Sequence, residues 1–166
     1  YLKDYRVSGT PQEAYSLGFE YRDPNYWWFQ LNGNLLRNNY VDISPLLRTD
    51  NFYTDADGVP FLDDETGVEV TQNQVDALLK QEKFDNFALL NLTGGKSWKY
   101  KSNTLGFFLS INNALDITYK TGGFEQARNS NYRELNQDVS SGSPAFAPKY
   151  FYGYGRTYFL NLYINF

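Results

Sequence analysis

The chemical groups of this 166-residue chain are mainly carboxylates, and they concentrate in one acidic segment. Asp55 and Asp57 stand in an Asp-Ala-Asp-Gly run, and an Asp-Asp-Glu run follows at 63–65. Hard carboxylate oxygens of this kind bind Ca²⁺, which makes Asp55 and Asp57 a weak calcium candidate. The EF-hand pattern needs further ligands that Tyr53 and Val59 do not supply, so an acidic, solvated turn is the alternative interpretation.

Three absent residue types exclude several kinds of site. The sequence contains no Cys, no His and no Met. Disulfides, zinc–thiolate sites, Cys or His nucleophiles and imidazole acid–base chemistry are therefore excluded within it. The carboxylates show no pair whose spacing implies acid–base catalysis, so we predict no catalytic residue, no cofactor and no enzymatic activity. A net charge of −4 and a pI near 4.8 argue against nucleic-acid binding.

Aromatic residues supply two further candidate sites. The chain has 15 Tyr, 13 Phe and 3 Trp, and two of the Trp are adjacent, at Trp27 and Trp28. This pair could stack on a sugar, but its place just after a predicted turn favours aromatic anchors at a membrane interface. Tyr150, Tyr152 and Tyr154 precede the last strand. They are candidates either for the mouth of a ligand path or for an outer aromatic girdle.

The most informative element is the strand that ends the chain. Tyr158, Leu160, Leu162, Ile164 and Phe166 fall on one face of an extended strand, because alternate residues of a strand point the same way. A tilted strand of about 9–11 residues is long enough to cross a bilayer. The segment also resembles the assembly signal of outer-membrane barrels, a terminal Phe behind alternating apolar residues, which the barrel-assembly machinery recognises. The alternative is a strand of a soluble sandwich.

Four earlier segments also have strand character, and together with the last one they predict an all-β, antiparallel transmembrane barrel. They cover residues 13–22, 26–35 with an extension towards Ile43, 84–98, and 104 to about 117. Gly94 and Gly95 predict a bend or a β-bulge in the third of these strands.

The connections between the five strands alternate in length. Residues 23–25 and 99–102 form short turns, whereas 45–83 and 122–149 form long loops. With Phe166 at the periplasmic rim, the short turns are periplasmic and the long loops extracellular, which is typical of outer-membrane barrels. In the first long loop, residues 71–81 have helical spacing.

Five strands cannot close a barrel, since bacterial single-chain barrels have an even number from eight upward. The chain also begins without Met and without a recognisable signal peptide. We therefore expect this sequence to be the C-terminal portion, residues 1–166, of a larger barrel. It has no apolar stretch of 18 or more residues, so no transmembrane helix is predicted.

Three stretches carry a resemblance to a known family. Residues 9–28, GTPQEAYSLGFEYRDPNYWW, resemble the C-terminal barrel of TonB-dependent outer-membrane receptors, in particular the branch found in Bacteroidota. Residues 110–119, SINNALDITY, resemble the motif of the penultimate strand, and residues 154–159, YGRTYF, resemble the entry to the final strand. The likeness extends over essentially the whole chain.

This resemblance implies active nutrient import across the bacterial outer membrane. Such receptors are 22-stranded barrels closed by an N-terminal plug domain, which this sequence does not contain. A segment at the N-terminus of the plug couples to the TonB complex. The cargo would be an iron chelate, cobalamin, an oligosaccharide or a peptide. The implied partners are outer-membrane lipid, the rest of the barrel with its plug, the barrel-assembly machinery and, in one branch, a surface lipoprotein that would dock on the long loops.

Three other function classes stay open at this stage. A small passive barrel or porin would lack a plug and conduct ions. A soluble β-sandwich binding module would be a stable monomer without detergent. An outer-membrane enzyme would need a catalytic set that the sequence does not display.

The interpretation of the last strand predicts the effect of a one-residue deletion. Removal of Phe166 should impair barrel assembly, because it deletes the terminal aromatic of the assembly signal. The measurement is the fraction of protein that reaches the folded, membrane-inserted form. Normal insertion of the deletion variant would contradict the interpretation.

Overall fold

A computed structural model describes residues 4–126 and 131–166, and these are mostly antiparallel β-sheet, with 45% strand and 14% helix. The strands are β1 (Glu13–Asp23), β2 (Trp27–Arg37), β3 (Phe87–Tyr100), β4 (Asn103–Asn112), β5 (Lys120–Phe124), β6 (Lys149–Tyr152) and β7 (Thr157–Asn165). The helices are α1 (Gln72–Leu78) and α2 (Tyr132–Ser140), with 3₁₀ helices at Pro45–Arg48 and Asp50–Phe52.

Five of these strands form one antiparallel sheet in the order β1-β2-β3-β4-β7. Each pair of neighbours keeps one unbroken register over its whole length. The prediction of an antiparallel β architecture is confirmed at this level. In the part of the chain that the structure describes, the sheet is open rather than a closed barrel, with β1 and β7 at its edges. The remaining two strands, β5 and β6, pair with each other.

The connections of the five-stranded sheet alternate as the sequence predicts. Residues 24–26 join β1 to β2 and residues 101–102 join β3 to β4, both at one end of the sheet, which we call the short-turn end. The long connections, 38–86 and 113–156, leave from the opposite end. At the first short turn, the backbone N–H of Asn25 donates to Asp23 Oδ1 at 2.8 Å, so the side chain stabilises the turn.

Two strands end earlier than the sequence predicts, and an asparagine follows each of them. β2 stops at Arg37 instead of continuing towards Ile43, because Asn38 has φ +58°. β4 stops at Asn112, short of Ile117, because Asn113 has φ +48°. Asparagine tolerates this left-handed region better than most residues. The Asn113 side chain also accepts from Ile117 N (3.0 Å) and donates to Ile117 O (2.8 Å), which closes a turn.

Of the bend or bulge predicted at Gly94 and Gly95, the bulge is wrong. Both residues pair in register with β2 and with β4, so the ladder continues through them without an extra residue. Their lack of side chains makes room for neighbours instead. A Cβ on Gly95 would lie 2.7 Å from the Phe107 carbonyl oxygen and 3.1 Å from Trp28 Nε1.

The chain divides into two compact units. The sheet unit comprises residues 11–38, 85–120 and 152–166, and the loop unit comprises the described residues of 1–10, 39–84 and 121–151. The loop unit has its own apolar core, to which both long connections contribute. Its buried members are Leu47, Phe52, Val70, Val75, Leu79, Tyr132 and Leu135.

The loop unit is more structured than its sequence predicts. The helical spacing at 71–81 is confirmed by α1, which begins with a capping box between Thr71 and Gln74. The second predicted loop, 122–149, was expected to be irregular, but it contains α2 with an Asn131–Glu134 capping box. Residues 127–130 of that loop lie outside the described residues.

A buried ion pair joins the two long connections within the loop unit. The Arg48 guanidinium donates to both carboxylate oxygens of Glu125, with an Nη2–Oε1 distance of 2.8 Å and a closer contact from Nη1 to Oε2. Only 4% of the Arg48 side chain and 12% of the Glu125 side chain are exposed. Arg48 also donates to the carbonyls of Ser44 (3.1 Å) and Leu79 (2.8 Å) and to the Tyr5 hydroxyl (3.1 Å).

The environment keeps this arginine charged. Burial by itself lowers the pKa of Arg48, but hydrogen bonds and the charge of Glu125 outweigh burial, and the pKa lies above its ordinary value. A buried pair of this geometry is costly to break, because the remaining partner becomes an uncompensated buried charge.

Replacement of Arg48 tests this pair. We expect Arg48→Met to destabilise the loop unit by about 3–5 kcal/mol, because Glu125 is left buried and unpaired. Arg133→Met is the matched control: its contact with Asp64 is 3.9 Å long, both side chains are largely exposed, and we expect a loss of about 0–1 kcal/mol. The measurement is urea unfolding followed by the near-ultraviolet circular dichroism of tyrosine. The double variant Arg48→Met/Glu125→Leu should recover most of the loss, and equal effects of the two single Arg variants would contradict the assignment.

Candidate membrane-facing surface

One face of the five-stranded sheet is almost entirely apolar. Residues that pair across strands lie on the same face, so the four registers define the face without ambiguity. We call it the apolar face. Its apolar and aromatic members are Tyr15, Leu17, Phe19, Tyr21, Trp27, Phe29, Leu31, Leu35, Ala88, Leu90, Leu92, Trp98, Tyr100, Leu105, Phe107, Leu109, Ile111, Tyr158, Leu160, Leu162 and Ile164, with Gly33, Gly94 and a single lysine, Lys96, among them. Glu13, Asp23, Arg37 and Asn103 lie on the same face at the ends of the strands.

The opposite face, called the polar face, carries mostly small polar side chains. Its polar members include Ser16, Glu20, Arg22, Gln30, Asn32, Asn34, Asn91, Thr93, Ser97, Lys99, Thr104, Ser110, Asn112, Thr157, Asn161 and Asn165. Several of them bond one another across strands, as Asn32 Nδ2 does to Ser16 Oγ at 3.1 Å. Leu36, Phe87 and Leu89 form an apolar group on this face near the long connections.

The apolar face is not covered by any described part of its own unit. Leu17 is 82% exposed and Leu162 is 73% exposed. In residues 4–126 and 131–166, every buried apolar side chain belongs to the loop unit and none to the sheet. A water-soluble protein rarely exposes so large a contiguous apolar surface, since each Leu or Phe left in water forfeits about 1.5–3 kcal/mol.

Tyr and Trp occupy the two ends of the apolar face. Tyr21 and Trp27 lie at the short-turn end with ring centroids 5.2 Å apart, and Trp98 and Tyr100 lie further along the same end. Tyr15 and Tyr158 lie towards the other end. The middle is filled by Leu, Ile and Phe. Aromatic girdles around an aliphatic band are the pattern of strands that cross a bilayer.

The ends of the sheet are staggered rather than level. Lys96 pairs with Trp27 at the last position of the β2–β3 ladder, but β3 continues beyond it as far as Tyr100. This overhang amounts to roughly 14 Å at about 3.4 Å per residue. At the opposite end, β1 and β2 extend beyond the end of β4. Successive strands are therefore displaced in the same direction along the sheet, as strands are when they tilt relative to a level boundary.

The predicted assembly-signal residues share one surface. Tyr158, Leu160, Leu162 and Ile164 lie on the apolar face of β7, paired with β4. Phe166 follows the last paired residue, Asn165, and is 96% exposed. The role of these residues in assembly stays a prediction.

Trp27 and Trp28 lie on opposite faces of β2, so a single lipid interface cannot hold both. Trp27 stacks with Phe29 on the apolar face (centroids 6.1 Å apart, rings 9° from parallel). Trp28 lies on the polar face, where its ring is 6.1 Å from the Phe108 ring and 5.5 Å from the Arg22 guanidinium carbon. The period of two along a strand already implied this difference, and the interpretation of the two residues as one pair overlooked it.

The three tyrosines of the candidate ligand mouth lie in different surroundings. The Tyr150 hydroxyl donates to Glu82 Oε2 at 2.6 Å, and its ring meets the Phe84 ring edge-on at 5.9 Å, all within the loop unit. Tyr152 and Tyr154 belong to the sheet unit and are exposed. Tyr150 is thus fixed by contacts within the loop unit, and the ligand role of Tyr150, Tyr152 and Tyr154 stays a prediction.

The calcium candidates Asp55 and Asp57 form a backbone turn. Asp55 Oδ1 accepts from Asp57 N and Val59 N, both at 2.9 Å, and Gly58 follows with φ +80°. This geometry fits the alternative of a solvated turn, because the Asp55 oxygen is already used. Among the described residues there is no group of three or more His, Cys, Asp or Glu that could hold a metal ion.

A different carboxylate, Asp63, organises the acidic segment. It is 7% exposed, and its Oδ1 accepts from Glu65 N (3.2 Å), Thr66 N (3.0 Å) and Thr66 Oγ1 (2.9 Å). These bonds hold the pKa of Asp63 below its usual value of 3.8. Burial raises the pKa of the neighbouring Tyr132, and the charge of Asp63 raises it further. The Asp-x-x-Thr spacing was a signal for such a turn that the sequence interpretation did not use.

Comparison with protein-family models, with curated proteins and with solved structures finds no match to this chain. No helix in residues 4–126 and 131–166 is long and apolar enough to cross a membrane. The surface chemistry described above therefore carries the functional argument on its own.

The lowered pKa of Asp63 predicts how the loop unit responds to acid. A carboxyl group whose pKa is lower in the folded than in the unfolded protein stabilises the fold at any pH above its unfolded-state pKa. This contribution is lost as the pH drops through the folded-state pKa. The urea midpoint of the loop unit should therefore fall with pH below about 3.8, and Asp63→Asn should remove part of that dependence. Asp64→Asn, an exposed neighbour, is the control and should keep it. Identical pH profiles for the Asp63 variant and the unmodified protein would show that Asp63 does not contribute.

Paired substitutions on β7 distinguish its two faces. Leu160→Arg places a charge on the apolar face, and we expect it to destabilise a bilayer-embedded sheet by about 2–4 kcal/mol. Asn161→Arg adds the same charge one residue away on the polar face, where we expect a change within about 0.5 kcal/mol. The measurement is urea unfolding of the vesicle-embedded, full-length protein. Equal tolerance of both substitutions would argue against lipid on the apolar face.

Proposed function

We propose that this chain is part of the wall of an outer-membrane β-barrel, with the apolar face towards lipid and the polar face towards the lumen. The observation that carries this proposal is the exposed apolar face itself, which extends without interruption over five strands. Hydrocarbon is the solvent in which such a face loses nothing by exposure.

The dimensions of the strands support the proposal. β1 and β2 have 11 residues each, and β7 has 9. At about 3.3 Å per residue and a tilt of about 45°, 11 residues rise through roughly 26 Å, close to the height of about 25 Å of the apolar band of outer-membrane barrels. The staggered ends of the sheet agree with strands tilted by this amount.

Under this proposal, both edges of the sheet need further strands as partners. β1 and β7 each have only one strand neighbour among the described residues, and an open sheet edge is not tolerated in hydrocarbon. Under this proposal, further strands pair with both edges and close the barrel, for which the family resemblance implies 22 strands. Those strands would belong to the rest of the same receptor.

The resemblance to TonB-dependent receptors extends the proposal from architecture to activity. The barrel would act as an active importer of a nutrient (an iron chelate, cobalamin, an oligosaccharide or a peptide) in the bacterial outer membrane. A plug domain outside this sequence would close the lumen and couple to the TonB complex. The loop unit, which both long connections build, would be extracellular and would be the surface for a lipoprotein partner.

Labelling of single cysteines tests the orientation of the sheet. The sequence has no Cys, so each introduced thiol is unique in this part of the protein. Leu160→Cys and Asn161→Cys, adjacent on β7 but on opposite faces, carry a spin label in the membrane-embedded, full-length protein. We expect the label at 160 to be relaxed by oxygen, which dissolves in lipid, and the label at 161 by a water-soluble nickel chelate. The same accessibility at both positions would overturn the proposal.

A second measurement separates active import from passive diffusion. The full-length protein in planar bilayers should be closed to ions if a plug fills the barrel, and its mass should be several times 19.2 kDa. Steady ion conductance by a protein without a plug would favour the passive-barrel alternative. A monomer that stays soluble without detergent would favour the β-sandwich alternative and remove the membrane proposal altogether.

A further inference from the structure

We propose that the short-turn end of the sheet binds the phosphate headgroups of anionic phospholipids through three lysines, Lys96, Lys99 and Lys101. This inference rests on the proposed function, because it assumes that the sheet is embedded in a bilayer. It adds a lipid preference that embedding alone does not require. The three lysines and their aromatic neighbours are called the lysine rim below.

Lys96 is the only charged residue that β3, β4 and β7 place on the apolar face; the other charged residues of this face, Glu13, Asp23 and Arg37, lie at the ends of β1 and β2. Lys96 lies beside Trp27 and Phe107 in the strand register, near the last rung of the β2–β3 ladder. Its ammonium group donates to the backbone carbonyl of Asn25 in the short turn and lies 5.9 Å from the Trp98 ring centroid. A lysine in this setting buries its aliphatic stem along apolar surface and keeps its charge at the polar boundary.

The other two lysines repeat this contact with an aromatic ring. Lys99 Nζ lies 5.2 Å from the centroid of Tyr26, and Lys101 Nζ lies 5.6 Å from the centroid of Tyr100. Tyr and Trp are the residues that anchor a protein at the headgroup level of a bilayer. Lys99 belongs to the polar face, but it lies beyond the last rung of the β2–β3 ladder and beside Tyr26 of the short turn. All three ammonium groups therefore lie next to aromatic rings of the short-turn end.

The acidic residues of this end have other hydrogen-bonding or ion-pair partners, and Asp23 also interacts electrostatically with Lys96. Glu20 pairs with Arg22, and Asp23 accepts from the backbone N–H of Asn25 (2.8 Å) and from the Tyr21 hydroxyl (3.2 Å). Within the described residues, none of the three rim lysines forms an ion pair with a carboxylate. The rim keeps an excess of positive charge in a chain whose net charge is −4.

The two ends of the apolar face differ in how their charged side chains are paired. At the long-connection end, Arg37 pairs with Glu13 at 3.1 Å across the first two strands, so the charges on this side of the sheet cancel. At the short-turn end, in contrast, three ammonium groups lie beside aromatic rings and form no ion pair with a described carboxylate. Because a lysine near an anionic membrane surface contributes about 1 kcal/mol of attraction, three of them produce a measurable lipid preference.

Spin-labelled lipids test the preference directly. The full-length protein is reconstituted in phosphatidylcholine vesicles with a trace of either spin-labelled phosphatidylglycerol or spin-labelled phosphatidylcholine. The fraction of motionally restricted label reports lipid in contact with the protein. We expect the protein to favour phosphatidylglycerol over phosphatidylcholine by about threefold. This ratio is an average over all lipid in contact with the protein, so it is smaller than the ratio at the lysine rim itself. The preference should disappear in high salt.

Two triple variants locate the effect. Lys96→Gln/Lys99→Gln/Lys101→Gln should bring the preference close to one. Lys80→Gln/Lys83→Gln/Lys149→Gln removes the same charge from the loop unit and should keep it. Excess inorganic phosphate should displace little of the lipid, because a free anion lacks the acyl chains that lie along the apolar face.

The outcomes separate this inference from the proposed function. Restricted lipid with no preference in the unmodified protein, or an unchanged preference in the rim variant, would overturn the lysine rim and leave the barrel wall intact. Absence of restricted lipid of either kind would mean that the protein is not embedded, which would overturn both.

Discussion

The apolar face of the five-stranded sheet is the constraint on which the rest of the structure depends. Its side chains contact one another across the strands, but among the described residues no buried apolar side chain belongs to the sheet, so the sheet cannot owe its stability to a core of its own. The backbone hydrogen bonds of four unbroken ladders are made entirely within the sheet, and they remain satisfied in a solvent that offers none. The sheet is therefore suited to an apolar solvent on its apolar face and to water or polar groups on its polar face.

The loop unit, in contrast to the sheet, has an apolar core of its own. Its core residues come from two stretches of chain that the sheet strands separate, and α1 and α2 bring them together. Aromatic contact between Phe52 and Tyr132, at 6.3 Å, and the Arg48–Glu125 pair connect the two stretches. This unit buries an apolar core of its own, as the extracellular region of the proposed barrel would need to do.

The strands and their faces were predictable, because a period of two is visible in the order of the residues. Tyr158 to Phe166 and Tyr15 to Tyr21 show it without any structure. The turns were also predictable, from Asp23-Pro24-Asn25 and from the short polar run before β4. The registers of β1 with β2 and of β3 with β4 follow from those turns, whereas the registers of β2 with β3 and of β4 with β7 join strands that are separated by the long connections.

The features that escaped prediction depend on contacts distant in sequence. Gly95 appeared to be a break, but its role depends on where the Trp28 ring lies on the neighbouring strand. α2 has few apolar residues, and Tyr132 and Leu135 are buried only because the first long connection supplies their partners. Nothing in the neighbourhood of Arg48 indicates that Glu125 will neutralise it. The sequence offered a weak calcium candidate beside a solvated turn in the acidic segment, and the hydrogen bonds that hold Asp55 and Asp63 in turns could not be derived from residue types alone.

The Arg48–Glu125 pair also has a consequence for the order of folding. Its two residues are 77 positions apart, and β3 and β4 lie between them in the chain. The β3–β4 hairpin brings the ends of its own stretch of chain together and so shortens the flexible chain between Arg48 and Glu125. Less chain entropy is then lost when the ion pair closes. Formation of the hairpin in the sheet unit thus favours completion of the loop unit.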